Sequence, residues 1–147
     1  MRKTVVAVVL AIAVLGVGAV ALAAGTYHVN AKLTPGADVP RPKGAAGAHG
    51  SFTGTYIENK KGAVLRWTLS FSKLTGPALQ AHIHLGKVGV SGNVIVPLCA
   101  PCKNGQTGKT QISKTVVAAL EKGQTYVNVH TKKNLAGEIR GQVKVAG

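Results

Sequence analysis

The 147-residue sequence is poor in acidic side chains, and this shortage excludes several kinds of catalyst. Four carboxylates, at Asp38, Glu58, Glu121 and Glu138, stand against 18 lysines and arginines. No paired carboxylates, no Ser/His/Asp order and no phosphate-cradling loop are present, so hydrolysis and group transfer have no candidate residues. The sequence therefore predicts a binding protein and not an enzyme, with redox chemistry at a metal as the one catalytic alternative.

Aromatic residues are also scarce, at 4% of the chain, and the lysines are scattered, so no stacking platform for single-stranded nucleic acid is present. The formal net charge is +14, or +12 once Arg2 and Lys3 are removed, and it favours anionic partners. For an exported protein we expect an anionic cell-surface polymer or a protein partner, and no nucleic acid. A charge that only keeps the protein soluble is the alternative.

The N-terminus has the three parts of a secretory signal peptide. It begins with the basic segment Met1–Lys3, continues as an apolar run, and ends in an A-x-A cleavage site within Ala21–Ala24. We expect a signal peptide over residues 1–24, with cleavage after Ala23 or Ala24, and a periplasmic or secreted β domain over residues 25–147 with no membrane attachment. An uncleaved anchor is the alternative, because the run approaches the ~20 residues that span a bilayer.

Only two cysteines are present, Cys99 and Cys102. In an oxidising compartment such a pair forms a disulfide. A redox role is the alternative, because a C-x-x-C motif lowers a thiol pKa where it opens a helix. Here the motif follows the strand-like Val94–Leu98 and precedes the loop-like Lys103–Gly105, so the sequence favours a structural disulfide.

Alternation of apolar and polar residues predicts a fold made of short strands. It is clearest where Leu65, Trp67 and Leu69 alternate with Arg66 and Thr68. The predicted strands lie around residues 27–33, 52–56, 64–71, 81–85, 93–98, 110–112, 125–131 and 137–145.

One helix interrupts this pattern, at Lys114–Lys122. Ser113 is a suitable N-cap, Val117 and Leu120 have helical spacing, and Gly123 follows the last turn. Many short strands with one short helix predict an all-β fold, a Greek-key or immunoglobulin-like β sandwich or barrel.

Three histidines fall on the polar faces of two predicted strands. His82 and His84 share one face of their strand, and His130 lies on the polar face of a later strand. We expect these to be neighbouring strands, with the three imidazoles on the outward face and close enough to share one metal ion, for which copper is preferred over zinc. A structural polar network is the alternative. His28, on a solvent face, and His49, in a loop, are weaker candidates.

The last predicted hairpin supplies candidate groups around the three ligands. If its pairing is centred on Asn134, His130 lies opposite Glu138 and Asn128 lies opposite Arg140. A carboxylate beside a ligand histidine orients the ring and fixes its tautomer. We therefore expect Glu138 and Asn128 to surround the metal ligands, with an ordinary cross-strand pair as the alternative.

Four segments together resemble the CHRD domain, which is named for chordin and also occurs alone in exported bacterial proteins. They are LTPGADVP at residues 33–40, AHIHLG at 81–86, YVNVHT at 126–131 and GEIRGQ at 137–142. The resemblance covers nearly all of the predicted mature chain, and it implies an extracellular or periplasmic β domain.

The layout of His82, His84 and His130 also partially resembles the copper ligands of Cu/Zn superoxide dismutase, a Greek-key β barrel. No acidic zinc-binding loop and no further histidine run lie between the two strands. The resemblance implies a copper site made of imidazoles and does not extend to dismutase activity.

Overall fold

The computed structural model describes residues 25–146, so the predicted signal peptide lies outside the described residues. Within this range the chain forms nine strands, one helix and one short 3₁₀ turn at Pro35–Ala37. The elements are β1 (Thr26–Leu33), β2 (His49–Asn59), β3 (Gly62–Ser72), β4 (Ala78–Leu85), β5 (Val94–Cys99), β6 (Gln106–Ser113), α1 (Lys114–Glu121), β7 (Thr125–Thr131), β8 (Ile139–Gln142) and β9 (Lys144–Ala146).

The strands form two antiparallel sheets that pack as a sandwich. The first sheet has the order β6-β3-β2-β1-β9, and the second has the order β5-β4-β7-β8. This arrangement confirms the predicted all-β sandwich with one short helix. Among residues 25–146, no helix has the length and apolar character required to cross a bilayer.

The core lies between the two sheets and follows the alternation of the sequence. On β3, Leu65, Trp67 and Leu69 are buried as predicted. Ile83 of β4 and Val127 of β7 reach the same core from the second sheet. Each inward side chain of this kind contributes about 1.5–3 kcal/mol of hydrophobic free energy on burial.

The final strand differs from its prediction. The segment 137–145 was expected to be one strand, but β8 pairs with β7 in the second sheet and β9 pairs with β1 in the first. The chain crosses between the sheets at Val143, whose side chain is buried in the core and whose N–H donates to the carbonyl of Thr125 at 2.9 Å. Because the Val143 side chain points into the core where the chain changes sheets, apolar and polar residues keep alternating along 137–145 although this segment forms two strands.

The helix and the disulfide are as predicted. The Ser113 hydroxyl accepts from the N–H of Val116 at 3.3 Å, and Gly123 takes a φ of +64° after the last turn, where a glycine has no steric penalty. Cys99 and Cys102 form a disulfide between β5 and the loop that leads to β6.

Two loops cover the outer face of the second sheet, at residues 34–48 and 86–93. Asp38 of the first loop is 4% exposed, and the carbonyl of Gly92 in the second accepts a hydrogen bond from β4. As a result, every residue of β7 is buried on both faces of the sheet. The polar face on which the histidines were predicted is therefore enclosed along β7. On β4 the same face is more open: His82 is half-buried, and its partner Pro97 on β5 is exposed.

Trp67 depends on a glycine beside it, which provides a test of the core. Gly108 is its cross-strand partner on β6, and a Cβ there would overlap the indole ring. Gly108→Ala should lower the free energy of unfolding by about 1–3 kcal/mol in urea titrations, because the ring must move in a packed core. Gly36→Ala is the matched control: a Cβ there meets no atom within 4 Å, and its effect should stay within about 0.5 kcal/mol. Equal effects of the two substitutions would contradict this account of the core.

Candidate metal centre

The three candidate ligands lie on β4 and β7, which are antiparallel neighbours. The register pairs His82 with Asn128, His84 with Tyr126, and Gln80 with His130. Because directly opposed residues share a face, both histidines of β4 lie on the same face as His130. The two strands are neighbours, as the sequence predicts, and their pairing brings the two histidine segments together.

The imidazole rings are close enough to share one ion. One nitrogen from each of His82, His84 and His130 lies within 4.8 Å of the other two. His82 Nδ1 and His130 Nε2 are 3.3 Å apart. Two ligands on a tetrahedral ion with bonds of ~2.0–2.1 Å are separated by ~3.3–3.4 Å, so this pair has ligand spacing already.

Backbone carbonyls fix the tautomers of two of these rings. His84 Nδ1 lies 2.9 Å from the carbonyl oxygen of Gly92, and His130 Nδ1 lies 2.9 Å from that of Leu135. A carbonyl oxygen only accepts hydrogen bonds, so each Nδ1 carries the proton and each Nε2 keeps its lone pair. Both Nε2 atoms are therefore in the form that binds a metal.

The Nε2 atom of His84 is buried and has no hydrogen-bond partner. His84 is 8% exposed, so solvent does not supply a routine partner either. An unpaired buried polar atom costs about 1–3 kcal/mol. This orphaned lone pair is the clearest indication that the cluster is shaped for something besides its own hydrogen bonds.

Burial lowers the pKa of all three imidazoles. The pKa of His130 falls to about 4, because desolvation outweighs the hydrogen bond to Leu135 and the two other histidines oppose a positive charge. The pKa of His82 is lowered by burial and by His84, and that of His84 by burial and by the Arg140 guanidinium. At neutral pH the cluster is uncharged.

A stack of side chains that the sequence analysis missed supports His84. The His84 ring is stacked on Tyr126, with centroids 4.8 Å apart and planes 9° from parallel. The Arg140 guanidinium lies 3.4 Å from the centroid of the Tyr126 ring. Arg140 Nη2 also donates to the carbonyls of Lys87 and Val90, each at 2.9 Å, and so holds the loop 86–93 over the site. Tyr126, Asn128 and His130 are alternate residues of one strand, so the sequence already placed Tyr126 on the same face as the other two.

The predicted hairpin register is confirmed, but its consequence for Glu138 is different. Asn128 pairs with Arg140 and Val129 with Ile139. His130 Nδ1 is nevertheless bonded to the backbone of Leu135, so the carbonyl fixes the tautomer in the way we expected of a carboxylate.

The Glu138 carboxylate is engaged elsewhere. It accepts from the N–H of Thr75 at 2.6 Å, from the hydroxyls of Thr75 and Thr131 at 2.5 Å each, and from Asn134 Nδ2 at 3.0 Å. Burial alone would raise its pKa, but these hydrogen bonds together hold the pKa below its usual value. Glu138 therefore ties the chain ahead of β4 to the β7–β8 hairpin, and it bonds to none of the three imidazoles.

Asn128 also makes no hydrogen bond to an imidazole. Its Nδ2 donates to Asp38 Oδ1 at 3.2 Å and lies 3.4 Å from the carbonyl of Ala136, so it attaches the loop 34–48 to β7. Burial raises the pKa of Asp38 to about 6. Asn128 Oδ1 and Asp38 Oδ2 have no hydrogen-bond partner. Both atoms lie so close to Gly137 that a Cβ at that position would overlap them.

The donor set determines which ions suit the cluster. It contains three neutral nitrogens and no carboxylate, and both cysteines are in the disulfide. Calcium and magnesium prefer oxygen ligands, whereas imidazole suits copper, zinc and nickel. Among residues 25–146 no other group of three or more His, Cys, Asp or Glu side chains is close enough to share an ion. His28 and His49 are exposed on other strands and take no part.

Comparison with known proteins gives one match. A family model described as CHRD domain matches residues 29–143, from β1 through the end of β8. Searches of curated proteins and of solved structures gave no significant match.

The low pKa of His130 predicts a pH-dependent stability. Below pH 6.5 the unfolded chain binds a proton that the folded His130 takes up only near pH 4, so the free energy of unfolding falls as the pH is lowered through this window. His130→Asn keeps an amide donor near the Nδ1 position but does not titrate. Wild type should lose on the order of 2–3 kcal/mol more than this variant between pH 7 and pH 4.

Urea unfolding at each pH, in buffer with a chelator, measures this difference. Asp38 acts in the opposite direction, because its raised pKa lets the folded state gain a proton first as the pH falls through about 6. Asp38→Asn should therefore steepen the loss of stability. Parallel pH profiles for wild type and His130→Asn would show that His130 is not the group responsible.

Proposed function

The chain belongs to the CHRD domain family, and from that premise we propose that it is an exported binding protein that holds a copper ion between His82, His84 and His130. CHRD domains are extracellular domains, which agrees with the signal peptide expected from the sequence. Zinc is the second choice of metal. The proposed role is binding, without catalysis.

One observation carries this proposal: the buried Nε2 of His84 has a lone pair and no partner. Its tautomer is set by Gly92, and the Nε2 of His130 is set in the same way by Leu135. A metal ion between the rings would give the Nε2 of His84 a partner and would take the place of His82 Nδ1 as the partner of the Nε2 of His130. Backbone carbonyls that orient ligand histidines are a usual feature of metal sites.

Copper is favoured by the chemistry of the ligands. For a given set of nitrogen donors, divalent copper binds more strongly than zinc, nickel or the earlier metals of the series. No carboxylate among the ligands offsets the charge of the ion, and Arg140 is near enough to His84 to lower its pKa. The ion must therefore be held by strong bonds to nitrogen, which copper forms best.

Three ligands leave a coordination position open for water, a sulfur ligand or a partner. His82 is half-buried, whereas His84 and His130 are buried, so the accessible side of the cluster is at His82. An open position on an accessible side suits a protein that accepts or delivers its metal.

An interaction module with structural histidines is the second candidate. The hydrogen bond of 3.3 Å between His82 Nδ1 and His130 Nε2 favours it, because those two rings satisfy one another without an ion. It leaves the Nε2 atom of His84 unexplained. In this reading the partner is a protein or an anionic polymer, and no metal is retained on purification.

Removal of one ligand nitrogen tests the copper site. His84→Ala should weaken copper binding at least about 100-fold, because loss of even an outer-shell residue typically costs ~10–100-fold. Competition titration with a chelator of known affinity, on protein without an affinity tag, measures the effect for both copper oxidation states. His84→Phe should behave in the same way while keeping an aromatic ring on Tyr126.

His28→Ala is the matched control, since it removes an exposed imidazole from the other sheet and should leave copper affinity unchanged. Circular dichroism checks that each variant keeps its β fold. Unchanged copper affinity in the variant that lacks all three clustered histidines would eliminate this site and leave the interaction module.

A further inference from the structure

The first sheet presents an outer face of its own, on the side of the molecule away from the cluster of His82, His84 and His130. Cross-strand partners share a face, so the registers line up one row of exposed or half-buried polar residues across all five strands. The row runs through Lys144, Asn30, Thr53, Thr68 and Thr107.

A second row runs beside the first and carries positive charge. Thr55 pairs with Arg66, and Arg66 pairs with Lys109. Side chains of both rows line a shallow groove of about 690 Å³. We call this groove the threonine face, and its side chains are Thr53, Thr55, Arg66, Thr68, Thr107 and Lys109.

The threonine face is positively charged and has no acidic residue. None of the outward positions of β6, β3, β2, β1 and β9 is a carboxylate. Lys32 and Lys144 add further positive charge on the same side of the sheet. Strands are ~4.8 Å apart and alternate outward residues ~6.6–7 Å apart along a strand. Hydroxyl groups and cations therefore recur at these spacings along the shallow groove.

The pairing of Arg66 with Lys109 is unfavourable for folding. Like charges directly opposite each other on neighbouring strands destabilise a sheet. Both residues are exposed, and no carboxylate is the cross-strand partner of either, although Glu58 lines the adjoining cavity with them. The stability of the sheet thus does not explain these two residues. A ligand anion placed across them would remove the repulsion.

We propose that the threonine face binds an acidic polysaccharide of the polyuronate type. The Arg66 guanidinium can take a carboxylate through two parallel hydrogen bonds, and Lys109 adds a second cation one strand away. Threonine hydroxyls both donate and accept hydrogen bonds, as the hydroxyls of a sugar ring require. A groove lined by such groups at regular spacing suits an extended chain of repeating acidic sugars.

Other anionic partners fit this face less well. A single-stranded nucleic acid needs aromatic side chains for its bases, but Trp67, Phe52 and Tyr56 of these strands are buried in the core. A membrane surface would require exposed apolar side chains that insert between lipids. The outward side chains of the threonine face are polar or charged, and Trp67, which also borders the groove, is buried. This site is separate from the copper site and does not depend on it.

Lys109→Glu is the decisive variant, because it separates binding from folding. It places a carboxylate directly opposite Arg66, so the sheet gains an ion pair and the melting temperature should stay the same or rise. The affinity for oligouronates prepared from alginate should nevertheless fall at least tenfold in calorimetric titrations at low ionic strength. Neutral dextran of similar length should not bind either protein.

Lys103→Glu is the matched control, since it makes the same change in net charge at an exposed loop position outside the threonine face. It should weaken oligouronate binding less than twofold. An equal loss in both variants would show attraction by net charge alone and overturn the proposal. Tighter binding of an oligonucleotide or of anionic lipid vesicles, lost in Lys109→Glu, would overturn the assigned partner.

Discussion

The burial of both faces of β7 is the constraint on which the rest of the second sheet depends. An antiparallel sheet commonly has one face toward the core and one toward water, but here the second face is closed by the loops 34–48 and 86–93. Each polar side chain on it must therefore find a partner from the protein. Burying an amide or imidazole without one would cost more than most single contacts contribute.

These partners are a carbonyl of the loop 86–93, a carbonyl of the turn between β7 and β8, and the Asp38 carboxyl group of the loop 34–48, and this set of partners has a chemical result. Carbonyls of Gly92 and Leu135 take the Nδ1 protons of His84 and His130, so the Nε2 lone pairs remain inside the cluster. Glu138 is drawn away by threonines and an asparagine, so no carboxylate adds charge there. The same hydrogen bonds that make the enclosed face tolerable leave it neutral and rich in nitrogen donors.

Much of this arrangement follows from periodicity, and the remainder follows from contacts that periodicity does not encode. The strand alternation placed His82, His84 and His130 correctly, and the centre at Asn134 gave the hairpin register. The partners of His84 and His130 are main-chain atoms of loops, which leave no mark in the pattern of side chains. The same limit applies to Glu138, whose partner Thr75 is far away in sequence and lies next to it only after folding.

Because His130 is far from the other two histidines along the chain, the cluster can form only when the chain folds. His82 and His84 are near neighbours in sequence, but His130 reaches them only through the pairing of β4 with β7. For the proposed copper site, an unfolded chain would offer at most a two-nitrogen chelate, because His130 and both fixed tautomers join the cluster only in the native state. If the chain is exported unfolded, the proposed site would therefore take its ion from the compartment in which the sheets close.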